Sequence, residues 1–245
     1  MTQPAEPLNI LYQDEWLVAV DKPAGHLVHP ADEPQPDDLV TMKILRDQIG
    51  QRVYNIHRID RPTTGVLLFS VDRTAARALH RALERHQVQK TYWAISCGLA
   101  PEEPWECTQA LQKEEDAPMR DARTSFRRLA VSHPLTAENE PSLTLSLIEA
   151  TPHTGRYHQI RRHLLQQGLP IVGDFRYAGI ERSHQLGQLI GTGTRMLLQS
   201  KSISFTHPIT SEQTVIEAPA DPSMLKCFPH LADTRISSGY TPGKS

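Results

Sequence analysis

Asp60 is the residue whose sequence surroundings look most like those of a reacting group. It stands in His57-Arg58-Ile59-Asp60-Arg61-Pro62-Thr63-Thr64-Gly65, with one cation two places before it and another directly after. Neighbouring positive charge favours the ionised form of a carboxylate, and such a group held at a strand end can act as a nucleophile. Charge pattern alone also permits an ordinary loop ion pair, which is the commoner use of such a string. A second string, Thr151-Pro152-His153-Thr154-Gly155-Arg156-Tyr157-His158-Gln159-Ile160-Arg161-Arg162-His163-Leu164, sets a glycine turn ahead of a run of donors. There Arg161 could pair with a carboxylate, and His158 and Gln159 could bond phosphate or base. His153, His158 and His163 recur every five residues, whereas side chains share a helical face at three or four. With no cysteine nearby and no His-Glu-x-x-His string, no metal site is expected. Nucleotide-binding glycine loops and a Gly-x-Ser-x-Gly elbow are absent, so no cofactor is expected either.

These residues need a scaffold, and the sequence predicts an α+β one. Asn9 to Tyr12 and Trp16 to Val20 read as a hairpin turning at Asp14-Glu15. Tyr54 to His57 and Gly65 to Ser70 read as strands flanking the Asp60 loop. A helix is expected over Leu39 to Ile49 behind Asp37 or Asp38 as cap, and another after Asp72, with Ala75, Leu79, Ala82 and Leu83 as its apolar stripe. Further strands are expected at 88–96, 124–131, 143–150, 197–205 and 214–218. Pro101 to Ala122 reads as an acidic connection. Helices are expected over Tyr157 to Gln167, stopped by Gly168 and Pro170, and near Pro222 to Cys227. Strands outnumber helices without regular βαβ alternation, which favours a mixed sheet.

The chain has 245 residues, 38% of them hydrophobic and 22% charged, which suits a soluble globular domain and excludes fibrous or mostly disordered classes. No apolar run approaches the roughly 20 residues of a membrane span, and the first residues lack the order of a signal peptide. Cys97, Cys107 and Cys227 are widely spaced, as expected of reduced thiols in the cytoplasm. The net charge of −2 hides an uneven distribution. Arg73, Arg77, Arg81, Arg85 and Lys90 are opposed locally by Glu84 alone, while acids gather at 32–38 and 102–116. One strongly positive face is therefore compatible with overall neutrality.

Taken in order, Asp21-Lys22-Pro23-Ala24-Gly25, the Asp60 string, Lys90-Thr91-Tyr92, the Arg161 string, Pro170-Ile171-Val172-Gly173-Asp174, Leu198-Gln199-Ser200 and Phe205-Thr206-His207-Pro208 resemble the pseudouridine synthases of the ribosomal large subunit synthase A type. The resemblance covers about Leu8 to Ala218. The opening Ile10 to Val20, Arg46 to Gln51 and Tyr157 to Leu164 look closest to the tRNA-directed C-type branch of that family. It implies a catalytic fold with a mixed, mostly antiparallel sheet flanked by helices and loops. One catalytic domain over 8–230 is expected, after a short extension at 1–7 and before a mobile tail at 231–245.

The implied reaction isomerises uridine in RNA to pseudouridine. The N1–C1′ bond breaks, the uracil turns while bound, and C5 rejoins C1′, so no cofactor is needed. By resemblance Asp60 is the catalytic aspartate, Arg161 its basic partner, and Tyr92 the active-site tyrosine that stacks on uracil. Arg58 enters the RNA helix where the target nucleotide leaves, and Leu198 packs on the base. His57, Arg156, His158 and Gln159 are expected to contact substrate. The implied partner is tRNA at uridine 65 of the T stem, with ribosomal RNA as the alternative and a monomer without metal or membrane association as the default. Ile59 and Thr64 replace the usual Leu and Ser, and Gln199 replaces a commoner His. The match starts at the catalytic domain, so specificity is expected from that domain's own loops. A non-catalytic RNA-binding protein and an Asp60-histidine hydrolase are the rivals, disfavoured by the joint presence of Asp60, Tyr92 and Arg161 and by the lack of an oxyanion or metal signature.

Overall fold

The computed structural model describes residues 5–30, 32–33, 35, 37–114, 116–135 and 143–228. Within them the chain runs β1 (Asn9–Gln13), β2 (Leu17–Lys22), α1 (Thr41–Ile49), β3 (Tyr54–Asn55), β4 (Thr64–Ser70), α2 (Arg73–Glu84), β5 (Gln89–Cys97), β6 (Trp105–Cys107), β7 (Thr124–Val131), β8 (Leu145–Pro152), α3 (Gln159–Gln166), α4 (Ile180–Leu189), β9 (Leu198–Thr206), β10 (Gln213–Glu217) and α5 (Pro222–Cys227). The main sheet has the order β1-β2-β4-β9-β5-β8-β7-β6, with β3 beside β4 and β10 beside β9. Its ladders are antiparallel except the short β4–β9 contact, where Thr64 faces Gln199 and Gly65 faces Ser200. This is the mixed α+β sheet that the strand pattern predicts, with the mostly antiparallel ladders that the family resemblance implies.

Alternation along the strands divides the core between the two sheet faces. Val18, Val20, Leu67, Phe69, Tyr92 and Ala94 point to one face, where Leu45 of α1 and Ile160 and Leu164 of α3 cover them. Leu17, Ala19, Val66 and Leu68 point to the other, under Ala75, Ala76 and Leu79 of α2. Trp93, Ile95 and Leu197 continue away from the first face and meet Leu186 of α4 and Met224 of α5. Every residue of β4 is buried, so the strand leading out of the Asp60 loop is rigid. Gly65 is required where β4 meets β9: its φ is +98°, and an added Cβ would lie 2.2 Å from the Ser200 carbonyl oxygen.

Five departures from expectation stand out. α1 begins at Thr41 after Val40, without a side-chain cap, because Asp38 instead accepts from the Gln35 N–H and pairs with Arg61. α3 begins at Gln159 rather than Tyr157, because His158 takes the left-handed conformation at φ 52°. β3 stops at Asn55, freeing residues 56–63 for the loop. α4 and β6 were not expected: α4 follows Gly179 without a side-chain cap, and β6 lies inside the acidic connection and pairs with β7. The capped helix α2 matches its expectation, with the Asp72 carboxylate accepting from the Ala75 N–H at 2.7 Å. The tail at 231–245 lies outside the described residues.

Candidate active site

The Asp60 loop is pinned from below by the turn after β2. Lys22 is fully buried, and its Nζ donates to the carbonyls of Pro23, His26 and Arg61 at 2.7, 2.9 and 3.1 Å. Burial pushes its pKa down to about 7, while three carbonyls match the three donors of an ammonium. The Gly25 N–H also donates to the Arg61 carbonyl at 2.9 Å, and Arg61 Nε donates to the Gly25 carbonyl at the same distance. Asp60 thus precedes a residue tied at both its backbone and its side chain. Lys22→Met takes the Nζ donor from three carbonyls, of which that of Arg61 keeps the Gly25 N–H, and is expected to lower unfolding stability by about 3 kcal/mol. The measurement is a urea titration; an unchanged midpoint would show that the clamp carries no weight.

Arg161 supplies the charge that meets Asp60. Its Nη1 donates to Asp60 Oδ2 at 3.0 Å, across 101 residues of sequence. The rest of the guanidinium is held by Asp174, with Nε to Oδ2 and Nη2 to Oδ1 both at 2.7 Å. The Tyr177 ring lies 5.0 Å from the guanidinium carbon. Burial by itself would disfavour the cation, but the two carboxylates outweigh it and raise the Arg161 pKa. A bidentate pair of this kind fixes the plane of the guanidinium, and so fixes the direction from which it meets Asp60.

Tyr92 comes from β5 at a bulge, where the register with β9 slips between Thr91–Ser202 and Tyr92–Ser200. Bulges re-aim side chains beside active sites. Burial, and then the nearby Asp60 charge, raise the Tyr92 pKa, so its hydroxyl keeps its proton at neutral pH. Leu198 opens β9 opposite Ala94. Together Asp60, Tyr92, Arg161 and Leu198 line one cavity of about 290 Å³, with Arg58 among its lining residues. Arg58 is exposed, whereas the Asp60 side chain is 27% exposed and Arg161 6%.

The expected substrate contacts divide. Arg156 lines the cavity, although its Nε is occupied by the Asp121 carbonyl at 2.9 Å. His158 lines it too: Nε2 lies 3.7 Å from Asp60 Oδ2, Nδ1 is 2.9 Å from the Tyr177 hydroxyl, and the ring stacks on exposed Tyr157 at 3.7 Å. Burial lowers its pKa to about 4, against the smaller opposing pull of Asp60, so the ring is neutral at pH 7. Gln159 borders the cavity but spends its amide internally, accepting from Thr154 and the Arg156 N–H and donating to the Arg123 carbonyl and Thr124. His57 does not line the cavity. Its ring is buried and neutral, burial lowering its pKa to about 3, and Nε2 accepts from the Leu68 N–H at 3.1 Å. The other two histidines of the Arg161 string are also spoken for: His163 lies between Thr124 and the Gln109 carbonyl, and His153 meets Ser125. Gln199 fastens the chain after β10, donating to the Pro219 carbonyl and accepting from the Asp221 N–H.

Four contributors had no assigned role in the sequence reading: Lys22, Lys90, Asp174 and Tyr177. Lys90 lines the cavity, and burial lowers its pKa. Lys22, Lys90 and Asp174 each lie inside a motif that carries the family resemblance, and a charged residue within such a motif is the signal that sequence offers for them.

Comparison with known proteins agrees with this geometry. The family model described as RNA pseudouridylate synthase matches residues 16–166. The chain is 40% identical over 228 residues to the tRNA pseudouridine synthase C of Pasteurella multocida, covering 89% of this chain and 93% of that relative. It is 36% identical over 232 residues to the protein of the same name in Salmonella typhimurium, covering 90% and 88%. Among solved structures, human RNA pseudouridylate synthase domain containing 1 superposes with a TM-score of 0.71 at 22% identity, covering 90% of this chain and 87% of that one. Human RNA pseudouridylate synthase domain containing 4 gives 0.69 at 22% identity, covering 91% and 93%, and these two likenesses bear on the fold. The family match runs through the Asp60 loop, Tyr92 and Arg161, the segments that the fold gathers around one cavity, and the chain therefore belongs to the RNA pseudouridylate synthase family.

Proposed function

We propose that this pseudouridine synthase acts on tRNA, at uridine 65 of the T stem, and that Asp60 is the group on which the rearrangement depends. The observation that carries the reading is the Asp60–Arg161 contact within a cavity that also presents Tyr92 and Leu198. The curated relatives bear the name tRNA pseudouridine synthase C, which supports tRNA as the substrate. A uridine inside a stem must leave the stack to reach a partly buried carboxylate. Once it is seated, Tyr92 stacks on the uracil, Leu198 packs against it, and Arg161 keeps the Asp60 carboxylate aimed. The N1–C1′ bond breaks, C5 joins C1′, N1 gains a proton and C5 gives one up, so atoms balance without a co-reactant. Asp60 serves this sequence by attacking the sugar, attacking the base or assisting a glycal intermediate.

The test is conversion of uridine in purified tRNA transcripts, with the modified position mapped. Pseudouridine at position 65, abolished when that uridine is replaced by cytidine, is the expected result. Conversion of ribosomal RNA fragments instead would overturn the tRNA assignment. Arg58, exposed among the cavity-lining residues, is expected to fill the gap in the stack during flipping. Arg58→Ala should slow single-turnover conversion on a duplex stem by about tenfold while barely affecting an unpaired uridine, since only the former requires unstacking. Equal losses on both would remove that role.

A further inference from the structure

A second cavity, of about 690 Å³, opens between α1, β3 and α2. Five cations line it: Lys43 and Arg46 from α1, Arg52 from the turn after it, and Arg73 and Arg77 from α2. All five are exposed. Asp47 pairs with Arg46, and among the described residues none of the other four has a carboxylate within ion-pair distance. Arg52 instead lies over the Tyr54 ring at 5.2 Å. A fold with a net charge of −2 thus concentrates positive charge in one concave place, which raises the local concentration of an anionic partner.

The groove is continuous with the catalytic cavity along the chain. Val53, Tyr54 and Asn55 line the groove, while Arg58, Ile59 and Asp60 line the cavity. Only Ile56 and His57 lie between Asn55 and Arg58, and three steps of chain span at most about 11 Å. Arg58, at the cavity, is exposed as well, so a further cation stands within that span of the groove. This arrangement suits a phosphodiester backbone, which carries regularly spaced charge past several points at once. Beside apolar Met42, Val53 and Ala76, the lining has Tyr54 beneath Arg52 and His80 at 2.9 Å from the Asn55 carbonyl, so two of its side chains that could read a base are already engaged.

We propose that this groove is a second RNA-binding site, which holds the phosphate backbone flanking the target nucleotide and so sets where on a structured RNA the catalytic cavity closes. The inference rests on the reading of the chain as an enzyme acting on structured RNA. Arg81 and Arg85 continue the basic face of α2 but do not line the groove, and they are not part of the site.

The test replaces Lys43, Arg73 and Arg77 together by alanine, with Arg73→Lys/Arg77→Lys as the charge-preserving companion. Affinity for full-length tRNA is measured across a salt series, beside a hairpin carrying the uridine with about two base pairs on either side, too short to fill both sites. The triple variant should bind full-length tRNA about tenfold or more weakly, with a salt slope reduced by about one for each lost phosphate contact. The single-turnover rate at saturating enzyme and the affinity for the hairpin should stay unchanged, and the lysine variant should keep the wild-type slope. An unchanged slope on full-length tRNA overturns the proposal and returns the groove to another anionic partner, such as an acidic protein. An equal loss on the short hairpin also overturns it, because the cations would then act at the catalytic cavity. If wild type binds tRNA but converts no uridine, the proposed function fails while the salt slopes still decide the groove.

Discussion

Asp60→Asn is expected to abolish pseudouridine formation while leaving the fold and tRNA binding in place. The amide occupies nearly the same volume as the carboxylate, and its oxygen can still accept from Arg161 Nη1, which now sits 3.0 Å from Asp60 Oδ2. Arg161 itself remains anchored, because its other donors go to Asp174. Removing one negative charge from a site that meets RNA phosphate should hold or tighten affinity. Chemistry has no such reserve, since an amide is a weak nucleophile and a weak base. The single-turnover rate should fall by at least about a thousandfold, the scale on which loss of a nucleophile acts. The assay is uridine conversion in tRNA under excess enzyme, with binding measured on the same preparation. A variant that converts at a rate near wild type would remove Asp60 from the chemistry. Wild type that binds both tRNA and ribosomal RNA fragments and converts neither would favour the binding-protein alternative.

The sequence exposed the parts of the site that are local and hid those that are tertiary. Residues 57–65 could be read as a loop between strands because turn residues and apolar runs are local signals. The charge balance of that loop could not be read from local pattern, and only the family resemblance names Arg161 as the partner. The arginines adjacent to Asp60 suggested its partners, yet Arg58 is exposed and Arg61 turns away to Gly25 and Asp38. The cation that meets Asp60 arrives from α3, and only the β4–β9–β5–β8 ladder explains why it can. His57 shows the same limit in reverse: proximity in sequence suggests a substrate contact, whereas the loop after β3 turns its ring inward to the Leu68 N–H. α4 left little trace because its cap is Gly179 and its buried residues include Ser183 and Gly187, small groups that give no apolar stripe. By contrast, Asp72 and the Ala75–Leu79 spacing announced α2 because capping and helical periodicity are decided within a few residues.

Arg161→Met is expected to fail twice, and a second substitution separates the two failures. The first is structural. The Asp174 side chain is 1% exposed and receives two bonds from Arg161, so removing the guanidinium strands a buried carboxylate. Breaking a buried pair from one side costs about 3 to 5 kcal/mol, which should appear as a large drop in the urea midpoint. Replacing both partners, as in Arg161→Met/Asp174→Leu, removes the stranded charge and should recover most of that loss, because apolar replacements of buried ion pairs are often neutral in stability. The second failure is catalytic and should persist. Without the cation, Asp60 loses the donor that aims it, and uridine conversion by the double variant should remain at least about a hundredfold below wild type, a cost typical of a misplaced catalytic group. Arg161→Lys falls between these cases: it keeps the charge, but an ammonium cannot reproduce the planar fork that spans Asp174 and Asp60 together. Its loss should appear in the single-turnover rate at saturating enzyme more than in affinity for tRNA. A double variant that regains both stability and conversion would reduce Arg161 to a core ion pair and leave Asp60 to be oriented by the Lys22 clamp alone.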